Sequence, residues 1–195
     1  MMKYLNDYFL EVENIAAGID QKSIGSMIEI LEWTRQKSGR VFVLGIGGSA
    51  GNASHMTNDL RKLCHIEAYC PTDNVSELTA RTNDDGFDTI FSEYLKVSKF
   101  NYMDAILILS VGGGNKEKNV STALIKAIDY AIEKHGTVLS ILGRYDGYAA
   151  ENSNVSVIIP EINFSRITPH SEEFQAVVWH CIVSSPTLQT VKTKW

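Results

Sequence analysis

The 195-residue sequence has no uncharged apolar run long enough to span a bilayer, so no membrane partner is expected. Its opening, Met1-Met2-Lys3-Tyr4-Leu5-Asn6-Asp7-Tyr8-Phe9-Leu10-Glu11, places acids where a signal peptide needs an unbroken apolar region. No basic run occurs and the net charge is −5, so a nucleic-acid surface lacks its electrostatic footprint. Cysteine is scarce. Cys64, Cys70 and Cys181 are odd in number and show no metal-binding C-x-x-C spacing, which reads as reduced thiols in the cytoplasm. There is also no linker, internal repeat or low-complexity segment. With 44% hydrophobic and 21% charged residues, the chain suits one domain with a sizeable core.

What is present is an alternation of helical and strand-like segments. Leu5, Tyr8, Phe9, Val12, Ile15 and Ala16 recur at helical spacing, and Ile24, Met27, Ile28 and Leu31 follow after a break at 18–20. These N-terminal helices, residues 1–38, either pack on the chain's own sheet or form an oligomer interface. Residues 39–195 read as the α/β core. Candidate strands are 41–44, 66–69, 105–109, 138–142 and 155–159, and a helix from about 117 to 134 carries Val120, Leu124, Ile128 and Ile132 on one stripe. Short apolar runs separated by helices predict a three-layer α-β-α sandwich with a five-stranded parallel sheet. A last helix is predicted from Thr168-Pro169, with Thr168 as N-cap, Pro169 at the first helical position, and Glu172 and Glu173 in the first turn. Pro186 limits its extent.

Two glycine loops end strands. The first, Gly45-Ile46-Gly47-Gly48-Ser49-Ala50, opens a helix, so backbone N–H groups and a helix N-terminus face an anion there. It also matches the dinucleotide pattern G-x-G-x-x-A, but the acid that would hold a ribose, Asp73, comes late for that role. The second loop, Ser110-Val111-Gly112-Gly113-Gly114-Asn115, precedes another helix. Ligands in parallel sheets bind outside the carboxyl ends of strands, so the pair suggests one anion held from two sides. Lys116 and Lys118 could add charge.

His55 and Asp59 stand four apart, on one helix face, as a ligand pair or an acid–base pair. His180 on the last helix is a third candidate, with Glu172 or Glu173 a fourth. Two histidines and two carboxylates suit zinc or another divalent metal. Glu172 and His180, however, are eight residues apart, roughly 12 Å along a helix. Both reach one ion only at full stretch, or if one comes from a neighbouring subunit. Asp84, within Asn83-Asp84-Asp85-Gly86, is either a turn residue or a partner for a sugar hydroxyl.

Taken together, Gly45-x-Gly-Gly-Ser-Ala, His55-x-x-x-Asp59, Asn83-Asp84-x-Gly86 and Thr168-Pro169-x-x-Glu172-Glu173 with His180 resemble the sugar isomerase (SIS) domain. More narrowly, the chain resembles phosphoheptose isomerases, which convert sedoheptulose 7-phosphate into D-glycero-D-manno-heptose 7-phosphate. The resemblance implies a flavodoxin-like sheet, a homotetramer with active sites at subunit interfaces, and often a zinc ion. It assigns metal binding to His55, Asp59, Glu172 and His180, catalysis to Asp59 and His180, and substrate binding to Gly47, Gly48, Ser49, Asp84, Ser110, Gly112, Gly113, Gly114, Asn115 and Glu172. The chain departs from the family where Asp59 replaces a glutamate, Glu172 a glutamine and Ile46 an asparagine. Two of the three serines of the phosphate loop are also absent. This looks like a divergent branch, associated with heptose or related sugars of capsule, lipopolysaccharide or nucleotide-sugar biosynthesis. The rival reading is a non-catalytic sugar-phosphate-binding or tetrameric adaptor protein of the same fold.

Overall fold

A computed structural model describes residues 1–193; the last two positions of the expected 39–195 core lie outside the described residues. Two helices come first, α1 (Met2–Gly18) and α2 (Gln21–Gln36). Then follow β1 (Val41–Gly45), α3 (Gly48–Cys64), β2 (Ala68–Tyr69), α4 (Val75–Asp84), α5 (Ile90–Val97) and β3 (Ala105–Ser110). The chain continues through α6 (Thr122–Glu133), β4 (Thr137–Leu142), α7 (Tyr148–Asn152), β5 (Val155–Ile158) and α8 (Ile167–Val183). All strand pairs are parallel, in the order β2-β1-β3-β4-β5. That order is flavodoxin-like, with its topological switch between β1 and β3, where both glycine loops emerge.

Both sheet faces are covered, so the strands read as continuous apolar runs whose side chains alternate between two cores. Val41, Val43, Leu107 and Leu109 pack with α2, α3 and α8. Phe42, Leu44, Ile106 and Ile108 pack with α5 and α6. Each such Leu, Ile or Val contributes roughly 1.5–3 kcal/mol by leaving water. The two N-terminal helices behave differently. α2 buries Ile24, Met27 and Leu31, whereas α1 fully buries only Ile15 and exposes Leu5, Phe9 and Leu10.

Several expectations need correcting. The helix predicted from 117 begins at Thr122, because Asn115 and Val120 exchange backbone bonds across a tight turn and the Asn115 side chain accepts from Lys118 N–H. Val120 and Ile132 are exposed and do not belong to a buried stripe. The strand predicted over 66–69 shrinks to two residues: His65 ends α3 in the left-handed region and Ile66 N–H returns to Leu60. Thr168 is not the N-cap of α8. Asn163 instead caps a 3-10 turn, Phe164–Arg166, that runs directly into the helix, leaving Pro169 third in it and Glu172 and Glu173 beyond its first turn. Among the described residues, no helix is long and apolar enough to cross a membrane, and all three cysteines are free thiols. Burial pushes the Cys64 thiol up to about 11, which suits a packing role.

Candidate active site

The site begins at the carboxyl edge of β1 and β3. Gly45 pairs with Leu109, so the two glycine loops leave neighbouring strands almost level with each other. Gly47 turns the chain at φ +67°, a conformation that favours glycine, and α3 starts at the next residue. At Gly48 a side chain would displace its neighbour: a Cβ there would lie 2.5 Å from Glu172 Oε2 and 2.7 Å from Oε1, so the Glu172 carboxylate would have to move. The carboxylate that rests on the N-terminus of α3 is therefore the protein's own, where the helix dipole favours it.

In the second loop, Gly113 and Gly114 have positive φ, and their carbonyls accept from Ala149 and Tyr148 N–H at 2.9 Å. Ser110 Oγ accepts from Gly113 N–H at 3.0 Å. The N–H groups of Gly112 and Gly114 have no protein acceptor among the described residues, which leaves them for an anion. Asn115 is committed to its turn. Lys116 does not add charge to this loop; it donates to Tyr148 Oη at 2.9 Å and lies 3.3 Å from Asp129.

Further along α3, His55, Asp59 and His180 come together. One ligand atom from each lies within 4.8 Å of the others. α8 runs alongside α3, tied by Asn52 Nδ2, which donates to the Glu172 carbonyl at 2.9 Å and to Gln175 Oε1 at 3.1 Å. The fully buried Trp179 supports both imidazoles, with ring centroids 4.7 Å from His55 and 3.5 Å from His180. His55 Nε2 lies 3.8 Å from Asp59 Oδ2, and Asp59 Oδ1 accepts from Asn58 Nδ2. His180 Nδ1 faces the Ala176 carbonyl at 2.7 Å; since a carbonyl only accepts, Nδ1 carries the proton and Nε2 keeps its lone pair. Two imidazoles and a carboxylate suit zinc, whose tetrahedral ligands stand roughly 3.4 Å apart, so small side-chain movements would close the set. The three residues line a cavity of about 910 Å³ that also includes Leu63, Val183 and Gln189.

Two of the expected site residues lie elsewhere. Glu172 is not with the two histidines in the protomer; it sits two helical turns away on Gly48, as its spacing from His180 demands. Asp84 ends α4 on an exposed surface and accepts from Asn83 Nδ2 at 2.7 Å, a turn-like role. One cluster went unread in the sequence. Glu11 on α1 accepts from Arg166 Nε and Nη2, from Asn163 Nδ2 and from His170 Nε2, while Tyr8 donates to Glu173. These bonds, Arg166 foremost, hold the Glu11 carboxyl far below the usual carboxylate range. Donation to Glu173 pushes the Tyr8 phenol up to about 12.

No family model matches the chain. Among curated relatives, it is 32% identical over 149 residues to the phosphoheptose isomerase of Rhodospirillum rubrum, covering 74% of this chain and 73% of that protein. It is 28% identical over 180 residues to the lincomycin biosynthesis protein LmbN of Streptomyces lincolnensis, covering 88% of this chain and 65% of that longer protein. The fold superposes on phosphoheptose isomerase GmhA from Neisseria gonorrhoeae with a TM-score of 0.78 at 22% identity, covering 93% and 94% of the two chains.

Proposed function

Because the chain belongs to the phosphoheptose isomerase family of sugar-phosphate isomerases, we propose that it converts sedoheptulose 7-phosphate into D-glycero-D-manno-heptose 7-phosphate through an enediol. The observation that carries this reading is the convergence of His55, Asp59 and His180 on one cavity beside the helix that follows the first glycine loop. Isomerisation removes a proton from C1 of the ketose and returns one to C2, while protons leave O1 and reach O2. Asp59 is the base at carbon. His180 Nε2, with its lone pair free, moves the protons at oxygen.

The phosphate is assigned to the second loop, through the Ser110 hydroxyl and the N–H groups of Gly112 and Gly114. The first loop is a poorer phosphate site, since the Glu172 carboxylate on Gly48 would repel a second anion. Gly47, Gly48, Ser49 and Glu172 are assigned to sugar hydroxyls. A divalent ion such as zinc, held by His55, Asp59 and His180, would act as a Lewis acid towards the sugar oxygens, and since it would take the His180 Nε2 lone pair, the ligand and proton-transfer roles of His180 are alternatives. His55 lies roughly 10 Å along α3 from Gly48; the resemblance to phosphoheptose isomerases implies a homotetramer in which a second copy of the chain completes each site. The exposed Leu5, Phe9 and Leu10 of α1 supply apolar surface for that assembly.

The test is turnover of sedoheptulose 7-phosphate with and without a chelator. His180→Ala should lower kcat by roughly 100-fold or more, and unchanged turnover would overturn the assignment. A carboxylate that holds an ion is a weaker base. Chelation that abolishes turnover therefore assigns Asp59 mainly to the ion, and chelation that raises it assigns Asp59 to the proton.

A further inference from the structure

We propose that His170 is a positioning residue: it locks the first turns of α8 to α1 and thereby fixes Glu172 against Gly48. The inference rests on the first loop being part of the substrate site. His170 has a side chain only 4% exposed, and both its ring nitrogens meet carboxylates. Nε2 lies 2.9 Å from Glu11 Oε2, and Nδ1 lies 3.3 Å from Glu173 Oε2. The Tyr8 ring packs on the imidazole with centroids 4.7 Å apart. A buried imidazole with both nitrogens partnered ties the groups around it into one arrangement.

The geometry of the lock explains its reach. Arg166, His170 and Glu173 follow one another at spacings of four and three, so they form one stripe at the start of α8. Tyr8 and Glu11, three apart on α1, face that stripe. α1 fully buries only Ile15, so polar contacts supply much of what holds it against α8. Glu172 lies inside the locked segment, between His170 and Glu173. Its backbone carbonyl is gripped from the other side by Asn52, itself in the second turn of α3. A shift or rotation of this part of α8 therefore moves the Glu172 carboxylate off Gly48. His180, two turns further on and stacked on Trp179, is anchored separately.

His170→Phe keeps the ring volume and removes both carboxylate contacts. Hydrogen exchange of the full-length protein should then rise at least tenfold at residues 167–173 and also at Ala50 and Asn52 in α3. KM for sedoheptulose 7-phosphate should rise at least tenfold with kcat changed by less than threefold. Zinc affinity at His55, Asp59 and His180 should change by less than twofold. Faster exchange confined to α1 and 163–173, with KM unchanged, would reduce the cluster to a structural staple and overturn the proposal. If His170→Phe does not fold, Glu11→Gln carries the same test. Should the wild type not turn over this sugar while the exchange pattern appears, the proposed reaction fails and the positioning role stands.

Discussion

Gly48→Ala separates substrate positioning from folding more cleanly than any other single change. The added Cβ would meet three atoms of the Glu172 carboxyl group at 2.5–2.7 Å, so that group must retreat by about 1 Å to reach ordinary contact. The backbone accepts alanine, because Gly48 is outside the left-handed region. Alanine is favoured over glycine in a helix by up to about 1 kcal/mol, while pushing the Glu172 side chain off its rotamer costs about 0.5–1.5 kcal/mol. These effects nearly cancel, so stability should change by about 1 kcal/mol or less, a Tm shift of about 4 °C at most. Activity responds differently, since a misplacement of about 1 Å in a substrate-orienting group, even away from the chemistry, can cost roughly 100-fold. Thermal unfolding and steady-state kinetics should therefore show an intact fold with kcat/KM reduced by about two orders of magnitude. Gly51→Ala is the control: nothing lies within 4 Å of its Cβ, and both stability and activity should hold. If Gly48→Ala keeps kcat/KM within about twofold, Glu172 has no part in positioning substrate.

Further outcomes follow from other contacts. Asp104, 1% exposed, accepts from the Arg40 guanidinium, from Arg40 N–H and from Asn101, joining the amino ends of β1 and β3. Asp104→Ala should cost about 3 kcal/mol in denaturant unfolding, and a loss under about 1 kcal/mol would show the pair to be dispensable. Zinc titration should alter Trp179 fluorescence, because that indole stacks on His180; His55→Ala should weaken the apparent affinity at least tenfold, and an unchanged midpoint would remove His55 from the site. The Glu11 carboxyl is depressed by Arg166, Asn163 and His170, so its stabilisation is full above the usual carboxylate range and is lost as pH falls through the lowered value. The Tm gap between wild type and Glu11→Gln should accordingly be widest near neutrality and narrow in strong acid, whereas a gap constant down to pH 3 would contradict the assigned bonds.

How much of this was legible beforehand depends on how local each signal is. The strands showed themselves because burial on both sheet faces leaves uninterrupted runs such as Ala105–Ser110. β2 was overread, since an edge strand paired only to β1 keeps few of its apolar residues in the ladder. α4 escaped notice because none of its residues is buried, so it carries no apolar stripe. His55 and Asp59 were readable as neighbours four apart on one helix. Their meeting with His180 depends on α3 and α8 packing side by side, which spacing alone does not encode; the family resemblance supplied it. The same helix geometry that joined His55 to Asp59 warned that Glu172 and His180 stand too far apart. The Glu11–His170 contact was invisible because 159 residues separate its partners.

The decisive measurement is isotopic. Sedoheptulose 7-phosphate should be incubated with the protein in deuterated water and the product examined by NMR. Proton exchange through an enediol predicts an aldose 7-phosphate carrying deuterium at C2. Formation of that aldose with only protium at C2 after prolonged equilibration over many turnovers, or no aldose at all, would contradict the chemistry assigned to Asp59 and His180.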